Sequence, residues 1–235
     1  REMVYLPNAH IENPQLKVFL AHEFTHIIEF NQKDRLQGVS EEVWLNEARA
    51  DYSSTLLGYD NVYEGSNLQK RAKNFLEKPS DSLTEWQESK YDYAVVSMFT
   101  HYLVEHYGIQ ILADSLKLKS TGITSLNEVL TASDAKEDFS RVFSNWVVAV
   151  ALNNCQPGPQ YCYSNANLQQ IRVIPALNFL SVSGNTSLSV EGVTKNWAGT
   201  WQKVIGGKGN LTLELLGFKG FQAKIPYILV DRKGI

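Results

Sequence analysis

The sequence predicts an α+β protein that is mainly helical and ends in a small antiparallel β module. Apolar residues recur at helical spacing over about the first 155 residues. After residue 170 the chain instead alternates between apolar and polar residues, as strands with one buried face do. The change falls near a short loop between two cysteines. We therefore expect two domains, a helical domain over 1–160 and a β-sandwich-like module over 170–235.

The helical region begins with a short extended segment, Met3–Leu6, which is predicted to be an edge strand. Asn13-Pro14 then has the sequence of a helix N-terminus, and apolar residues from Leu16 to Ile28 form one face of the first helix. A second helix is predicted from Ser40 to about Leu57, because two glutamates in its first turn favour the helix dipole. The helices predicted after these two span 67–77, 91–107, 108–118, 124–131 and 134–153.

The last of these helices is predicted to begin at Asp134, because Glu137 follows three residues later and would complete a capping box. Beyond residue 170, period-two runs predict strands around 188–190, 211–215 and 225–229. Segments rich in glycine and asparagine separate these runs and predict the turns of an antiparallel sheet.

Composition and charge exclude several classes of protein. The chain is 43% hydrophobic, which argues against disorder, and its 22 basic and 25 acidic residues give a net charge of −3. This near-neutral balance without a basic block argues against a nucleic-acid partner. No apolar run approaches the roughly 20 residues that a membrane span needs. The composition does not indicate an oligomeric state.

Two cysteines, Cys155 and Cys162, enclose a turn that contains proline and glycine, with a spacing unlike that of zinc or redox Cys-x-x-Cys sites. We expect a local disulfide, and the alternative is a pair of thiols in a surface loop. A disulfide implies an oxidising compartment, so we expect a secreted or cell-surface protein. The chain starts at Arg1 without a signal segment, and we expect a processed or excised chain whose N-terminal part is incomplete.

The first predicted helix contains the segment His22-Glu23-Phe24-Thr25-His26. Residues four apart on a helix project from the same side, so both imidazoles can reach one zinc ion. Glu23 lies beside them, where it would act as a general base toward a zinc-bound water. The alternative is an amphipathic helix with exposed histidines. A metal site is favoured, because the apolar face of this helix uses other positions.

A second cluster of polar residues, Asn46-Glu47 followed by Asp51, lies on the next predicted helix. Catalytic zinc sites combine three protein ligands with an open position, and two histidines with a glutamate are an established set. Glu47 is therefore the candidate third ligand. Asp51 lies one turn further and could accept the second ring N–H of a ligand histidine. A solvated acidic face is the alternative, but it explains poorly why acids occur within an otherwise apolar helix.

Together, the His22–His26 and Asn46–Asp51 motifs resemble those of the gluzincin metallopeptidases, the clan of thermolysin and aminopeptidase N. The tyrosine-rich segment 91–107 is most similar to the hyicolysin and immune-inhibitor-A-like secreted proteases, whereas Trp44-Leu45-Asn46-Glu47 is similar to the aminopeptidase branch. The Gly-Ala-Met-Glu-Asn motif of exopeptidases does not occur in the sequence. An endopeptidase is therefore favoured over an aminopeptidase.

The resemblance implies a zinc-dependent peptidase that acts on a protein or peptide substrate. His22, His26 and Glu47 would be the zinc ligands, Glu23 the catalytic carboxylate, and Asp51 the hydrogen-bond partner of His22. The alternatives are a zinc aminopeptidase, a hydrolase of non-peptide amides or esters, and a catalytically silent protein that keeps the zincin scaffold and binds through its β module.

The resemblance also implies a tyrosine that stabilises the oxyanion from the start of the helix after the glutamate helix. Tyr93 is the favoured candidate and Tyr91 the second, with core packing as the alternative for both. His101 and His106 are predicted to be core or solvated histidines. His10 falls on the segment before the active helix, where an edge strand could pair with extended substrate.

Two further expectations concern residues outside these motifs. Glu29 is a fourth acid, after Glu23, Glu47 and Asp51, that we expect near the cation site. The tryptophans of the C-terminal part are predicted to pack in a core rather than to bind ligand, although an exposed pair could bind sugar or protein. These tryptophans are Trp197 and Trp201.

Overall fold

The computed structural model describes residues 3–4, 11–13, 15–217 and 223–230, and it confirms the predicted class, α+β and mainly helical. The α-helices of the described residues are α1 (Leu16–Phe30), α2 (Val43–Leu56), α3 (Asn67–Glu77), α4 (Lys90–Tyr107), α5 (Gln110–Leu116), α6 (Gly122–Ala132) and α7 (Phe139–Leu152). A π-helix (Asn31–Gln37) continues α1, and a 3₁₀ turn (Pro159–Tyr161) lies in the cysteine loop. The strands are β1 (Ala176–Leu180) and β2 (Gln202–Gly206).

Helix α4 runs through the centre of the molecule, since every residue from 94 to 103 is buried. A helix that is buried all round is a core element. Helices α2 and α3 both pack against α4, and α1 packs against α2. Helix α2 therefore lies between α1 and the core, with Trp44, Leu45 and Ala48 buried in the core cluster. This arrangement places the two sequence motifs on neighbouring helices.

The predicted start of the last helix is wrong. Helix α7 begins at Phe139, and the Asp138 carboxylate accepts the Arg141 N–H over 2.6 Å as its N-cap. Lys136 has a φ of 50°, a left-handed conformation that separates Asp134 from the helix. A capping box instead opens α4, where the Ser89 and Asp92 side chains bond to each other's backbone N–H groups.

The C-terminal strands form a parallel pair, so the predicted antiparallel arrangement is wrong. Ala176 lies opposite Gln202, and the register runs to Leu180 opposite Gly206. A parallel pair needs a crossover, which segment 181–201 provides. Runs 188–190, 211–215 and 225–229 form no strand in the described part of the chain. Their apolar side chains are exposed; Leu213, for example, is 68% exposed.

Cys155 and Cys162 form the predicted disulfide. The loop that it closes is attached to α4 by two hydrogen bonds. The Tyr102 hydroxyl donates to the Gln160 carbonyl over 2.8 Å, and the His106 ring N–H donates to the Cys162 carbonyl over 3.0 Å. The loop is therefore part of the helical core's surface rather than a free linker.

The N-terminal predictions are only partly covered by the described residues. Met3 and Val4 are not in a strand, while Tyr5, Leu6 and His10 lie outside the described residues. Within residues 3–4, 11–13, 15–217 and 223–230, no helix combines the length with the apolar character that a membrane span requires.

Candidate metal centre

Helices α1 and α2 bring three predicted ligands together. The nitrogen and oxygen atoms that His22, His26 and Glu47 can offer to a cation all lie within 4.8 Å of one another. The Nε2 atoms of the two histidines are 3.1 Å apart. Glu47 Oε2 lies 3.2 Å from Nε2 of His22, and Glu47 Oε1 lies 3.7 Å from Nε2 of His26. Three groups from two helices thus converge on one point.

These distances fit a small tetrahedral cation. Nitrogen and oxygen ligands about 2.0–2.1 Å from a tetrahedral zinc ion lie about 3.3 Å from each other. The three observed separations bracket that value. Glu47 Oε2 is also buried without a hydrogen-bond partner among the described residues, and an unsatisfied carboxylate oxygen facing imidazole nitrogens is suited to a bound cation. Imidazole and carboxylate donors suit zinc and other divalent transition ions.

The tautomer of His26 is determined by Asn46. The side-chain oxygen of Asn46 is hydrogen-bonded to Nδ1 of His26. An amide oxygen only accepts, so Nδ1 carries the proton, and Nε2 of the neutral ring keeps its lone pair for a metal. The sequence motifs alone predict no role for Asn46. Its position directly before Glu47, on the helix that faces His26, is the signal that could have identified it.

Negative charge surrounds His22. Burial disfavours the imidazolium, but the neighbouring Glu47 carboxylate outweighs this and raises the pKa of His22 above its ordinary value. The charges of Asp51 and Glu23 act in the same direction. Glu23 is exposed on α1 beside His22. The site therefore has the electrostatic character that attracts a cation.

Asp51 is buried next to this site and is held from α3. Its Oδ1 accepts hydrogen bonds from Asn67 over 3.0 Å and from Nε and Nη2 of Arg71 over 2.9 and 2.7 Å. Burial opposes ionisation, but the Arg71 guanidinium outweighs it and lowers the pKa of Asp51. Asp51 acts on His22 through its charge. The hydrogen bond from His22 to Asp51 stays a prediction.

The two candidate tyrosines lie in different surroundings. The Tyr91 hydroxyl donates to Glu77 over 3.3 Å, and the ammonium groups of Lys78 and Lys90 lie near its ring. Burial raises the pKa of Tyr93, and the charge of Glu47 raises it further. Tyr93 is therefore the candidate on which the charge of a predicted ligand acts, and its raised pKa keeps the hydroxyl protonated as a hydrogen-bond donor.

The remaining predicted residues lie apart from the three ligands. His101 is buried and bonds to Thr55 and to the Ser97 carbonyl, as expected for a core histidine. Glu29 does not join the metal site, because it is on the buried side of α1 and pairs with Arg49. The expectation that Glu29 belongs to the cation site is therefore wrong.

A scan against models of known protein families gives no match to this chain, and a search of curated proteins finds no similar sequence. The function has to be inferred from the site itself.

Proposed function

We propose that the chain is a zinc-dependent peptidase of the gluzincin type that cleaves peptide bonds within a protein or peptide substrate. The observation that carries this proposal is the convergence of His22, His26 and Glu47 within 4.8 Å, next to the exposed Glu23. Two imidazoles and one carboxylate leave a fourth tetrahedral position for water or substrate. The order of these residues along the chain supports the gluzincin type.

The residues around the site suit hydrolysis of an amide. The chemistry that a bound zinc ion supplies is the activation of a water molecule as a nucleophile. Glu23 accepts the proton of the attacking water and passes it to the leaving amine. The Tyr93 hydroxyl donates a hydrogen bond to the carbonyl oxygen as negative charge develops there. Asn46 keeps the proton of His26 on Nδ1, away from the cation.

Two finer features belong to the same proposal. An endopeptidase is favoured because the sequence lacks the exopeptidase motif. The disulfide between Cys155 and Cys162 supports an extracytoplasmic location, since such bonds persist in oxidising compartments.

The first experiment measures metal content and cleavage together. The purified chain is analysed for bound metals and incubated with a library of peptides blocked at both ends, with and without a chelator. We expect about one zinc ion per chain, internal cleavage, loss of cleavage with chelator, and recovery on zinc addition. Zinc binding without chelator-sensitive cleavage would instead support the catalytically silent binding protein. A parallel incubation uses the same peptides with free amino ends, and cleavage of these but not of the blocked peptides would support the aminopeptidase.

The second experiment replaces Glu23 with glutamine, which keeps the shape of the side chain but removes the base. We expect kcat to fall by about 10²–10⁴-fold, with zinc content unchanged. Glu128→Gln is the matched control, because Glu128 is an exposed glutamate on α6. Near-normal turnover in Glu23→Gln would overturn the mechanism.

A further inference from the structure

Helix α3 supplies none of the three candidate ligands, yet one of its side chains contacts two groups beside them. Arg71 donates from Nε and Nη2 to Asp51 on α2, and its guanidinium carbon lies 4.6 Å from the ring centroid of Tyr93 on α4. A guanidinium can bind a carboxylate through its planar fork and contact an aromatic ring at the same time. Arg71 thus connects α2, which carries Glu47, with α4, which carries Tyr93.

The position of this guanidinium is itself fixed. Asp51 is 3% exposed and accepts a third hydrogen bond from Asn67, one turn before Arg71 on the same helix. A buried carboxylate with three donors holds its partners in one arrangement. Arg71 is therefore a rigid neighbour for Tyr93.

The Tyr93 ring has a second contact. The ring centroid of Trp86 lies 4.8 Å from that of Tyr93, with the two planes at 73°. Such an edge-on aromatic contact and a cation over the ring both restrict the direction of the phenol. Tyr93 lies in the first turn of the buried helix α4, so its backbone is also fixed. Its hydroxyl is left with little freedom of position.

We infer that Arg71 is a positioning residue that holds the Tyr93 hydroxyl at the metal centre for its hydrogen bond to the substrate carbonyl oxygen. This inference rests on the proposed peptidase function. An oxyanion donor works only within a few tenths of an ångström of its place, so a group that fixes its direction affects kcat without touching the substrate.

The kinetic test is a double-mutant cycle with Arg71→Lys and Tyr93→Phe. Lysine keeps a positive charge for Asp51 but loses the planar fork and the contact with the ring. We expect Tyr93→Phe to lower kcat by about 10²–10³-fold and Arg71→Lys by about 10-fold, with KM and zinc content little changed. In the Tyr93→Phe background, Arg71→Lys should change kcat less than about twofold. Equal effects in both backgrounds would overturn the inference.

The spectroscopic test uses the metal-free protein labelled at the tyrosine ζ carbon. The Tyr93 signal is identified by its loss in Tyr93→Phe. We expect this signal to shift in Arg71→Lys and to stay in place in Lys73→Gln, which removes an exposed cation from the same helix. An unmoved signal in Arg71→Lys would overturn the inference even if the chain proves to be a peptidase. Absence of hydrolysis by the unmodified chain would overturn the proposed function, and it would also overturn the inferred role of Arg71 in catalysis.

Loss of Arg71 can destabilise the fold, because it leaves the buried Asp51 carboxylate without its cationic partner. If Arg71→Lys does not fold, the pair Arg71→Gln with Asp51→Asn removes both charges together. Its kcat and Tyr93 signal are compared with those of Asp51→Asn alone. A difference in both quantities supports the inference, and identity in both overturns it.

Discussion

At the scale of single residues, the amide of Asn46 determines which nitrogen of His26 is available to a cation. Without its acceptor oxygen, the Nδ1 proton is no longer fixed, and the ring can turn or change tautomer. We expect Asn46→Ala to lower zinc affinity by about 10–100-fold, measured by competition with a chelating dye. Asn61→Ala is the control, because Asn61 is exposed. Unchanged affinity in Asn46→Ala would show that His26 needs no such partner.

The residues of the metal centre differ in how far the sequence could predict them. His22 and His26 are four apart on one helix, so helical geometry alone places them together. Glu47 follows from the chemistry of three-ligand sites, which needs one more donor on a neighbouring helix. Arg71 could not be found in this way. Its contacts with α2 and α4 exist only after three helices have packed, and no spacing along the chain encodes them.

At the scale of elements, the end of α1 is anchored by buried charges. The π-helix that continues α1 carries Lys33, whose fully buried ammonium donates to the carbonyls of Ser115, Leu118 and Ser120 over 3.0, 3.0 and 2.7 Å. These carbonyls follow or end α5, where a cation complements the helix dipole. Through these hydrogen bonds, Lys33 anchors the C-terminal end of α1, the helix that carries His22 and His26, to the connection between α5 and α6.

Glu29, near the end of α1, has its pKa raised to about 7 by burial, which outweighs the charge of Arg49 beside it. Arg49 also forms an ion pair with Glu41, which in turn pairs with Lys33. The charges of Glu41 and Lys33 both act on Glu29. The second oxygen of Glu29 has no hydrogen-bond partner among the described residues. The protonated carboxyl is therefore the form that this part of the fold favours.

A raised pKa in the folded state makes stability depend on pH. The contribution of Glu29 is fully present below its unfolded pKa of 4.5 and is lost as pH rises through about 7. We expect the free energy of unfolding of the wild type, relative to Glu29→Gln, to fall by roughly 1–3 kcal/mol between these limits. Urea unfolding of the metal-free protein from pH 4.5 to 8 measures it. Glu128→Gln should show no such trend, and a flat difference for Glu29→Gln would contradict the prediction.

Elements were predictable where local signals decide them. The predicted bounds of 67–77 agree with α3, where Ser66 accepts the Gln69 N–H as N-cap. The π-helix was not predicted, because the groups that Lys33 bonds lie on α5 and beyond. Alternation of apolar residues marked the C-terminal part as extended, but it carries no information on strand direction. The parallel pairing of β1 and β2 depends on where the crossover packs.

At the scale of the whole molecule, the C-terminal segment is joined to the helical core. The Leu83 N–H donates to the Trp197 carbonyl over 2.9 Å, and the Trp201 indole donates to the Val147 carbonyl over 2.8 Å. The Val173 N–H donates to the Val150 carbonyl over 2.8 Å. These bonds cross the predicted division between residues 160 and 170. The division stays a prediction, and cooperativity of unfolding can decide it.

The C-terminal segment is either part of the helical core or an independent module, and Trp197 is the residue that best distinguishes these two alternatives. Its ring centroid lies 5.0 Å from that of Phe139 and 5.3 Å from that of Phe143, both on α7. If the segment is part of the core, heat should unfold the chain in a single calorimetric transition, and Trp197→Ala should destabilise it by about 2–4 kcal/mol. Phe179→Ala is the control, because Phe179 is 68% exposed on β1 and its loss should cost less than about 0.5 kcal/mol.

An independent module predicts a different result for the same variant. Calorimetry would then show two transitions. Zinc would raise the midpoint temperature of one of them, and Trp197→Ala would not change that midpoint. We expect zinc to raise the single transition of both the wild type and Trp197→Ala, because a ligand that binds only the folded state stabilises every part that unfolds with its site. The metal centre on α1 and α2 would then report on contacts made by a tryptophan more than 100 residues further along the chain.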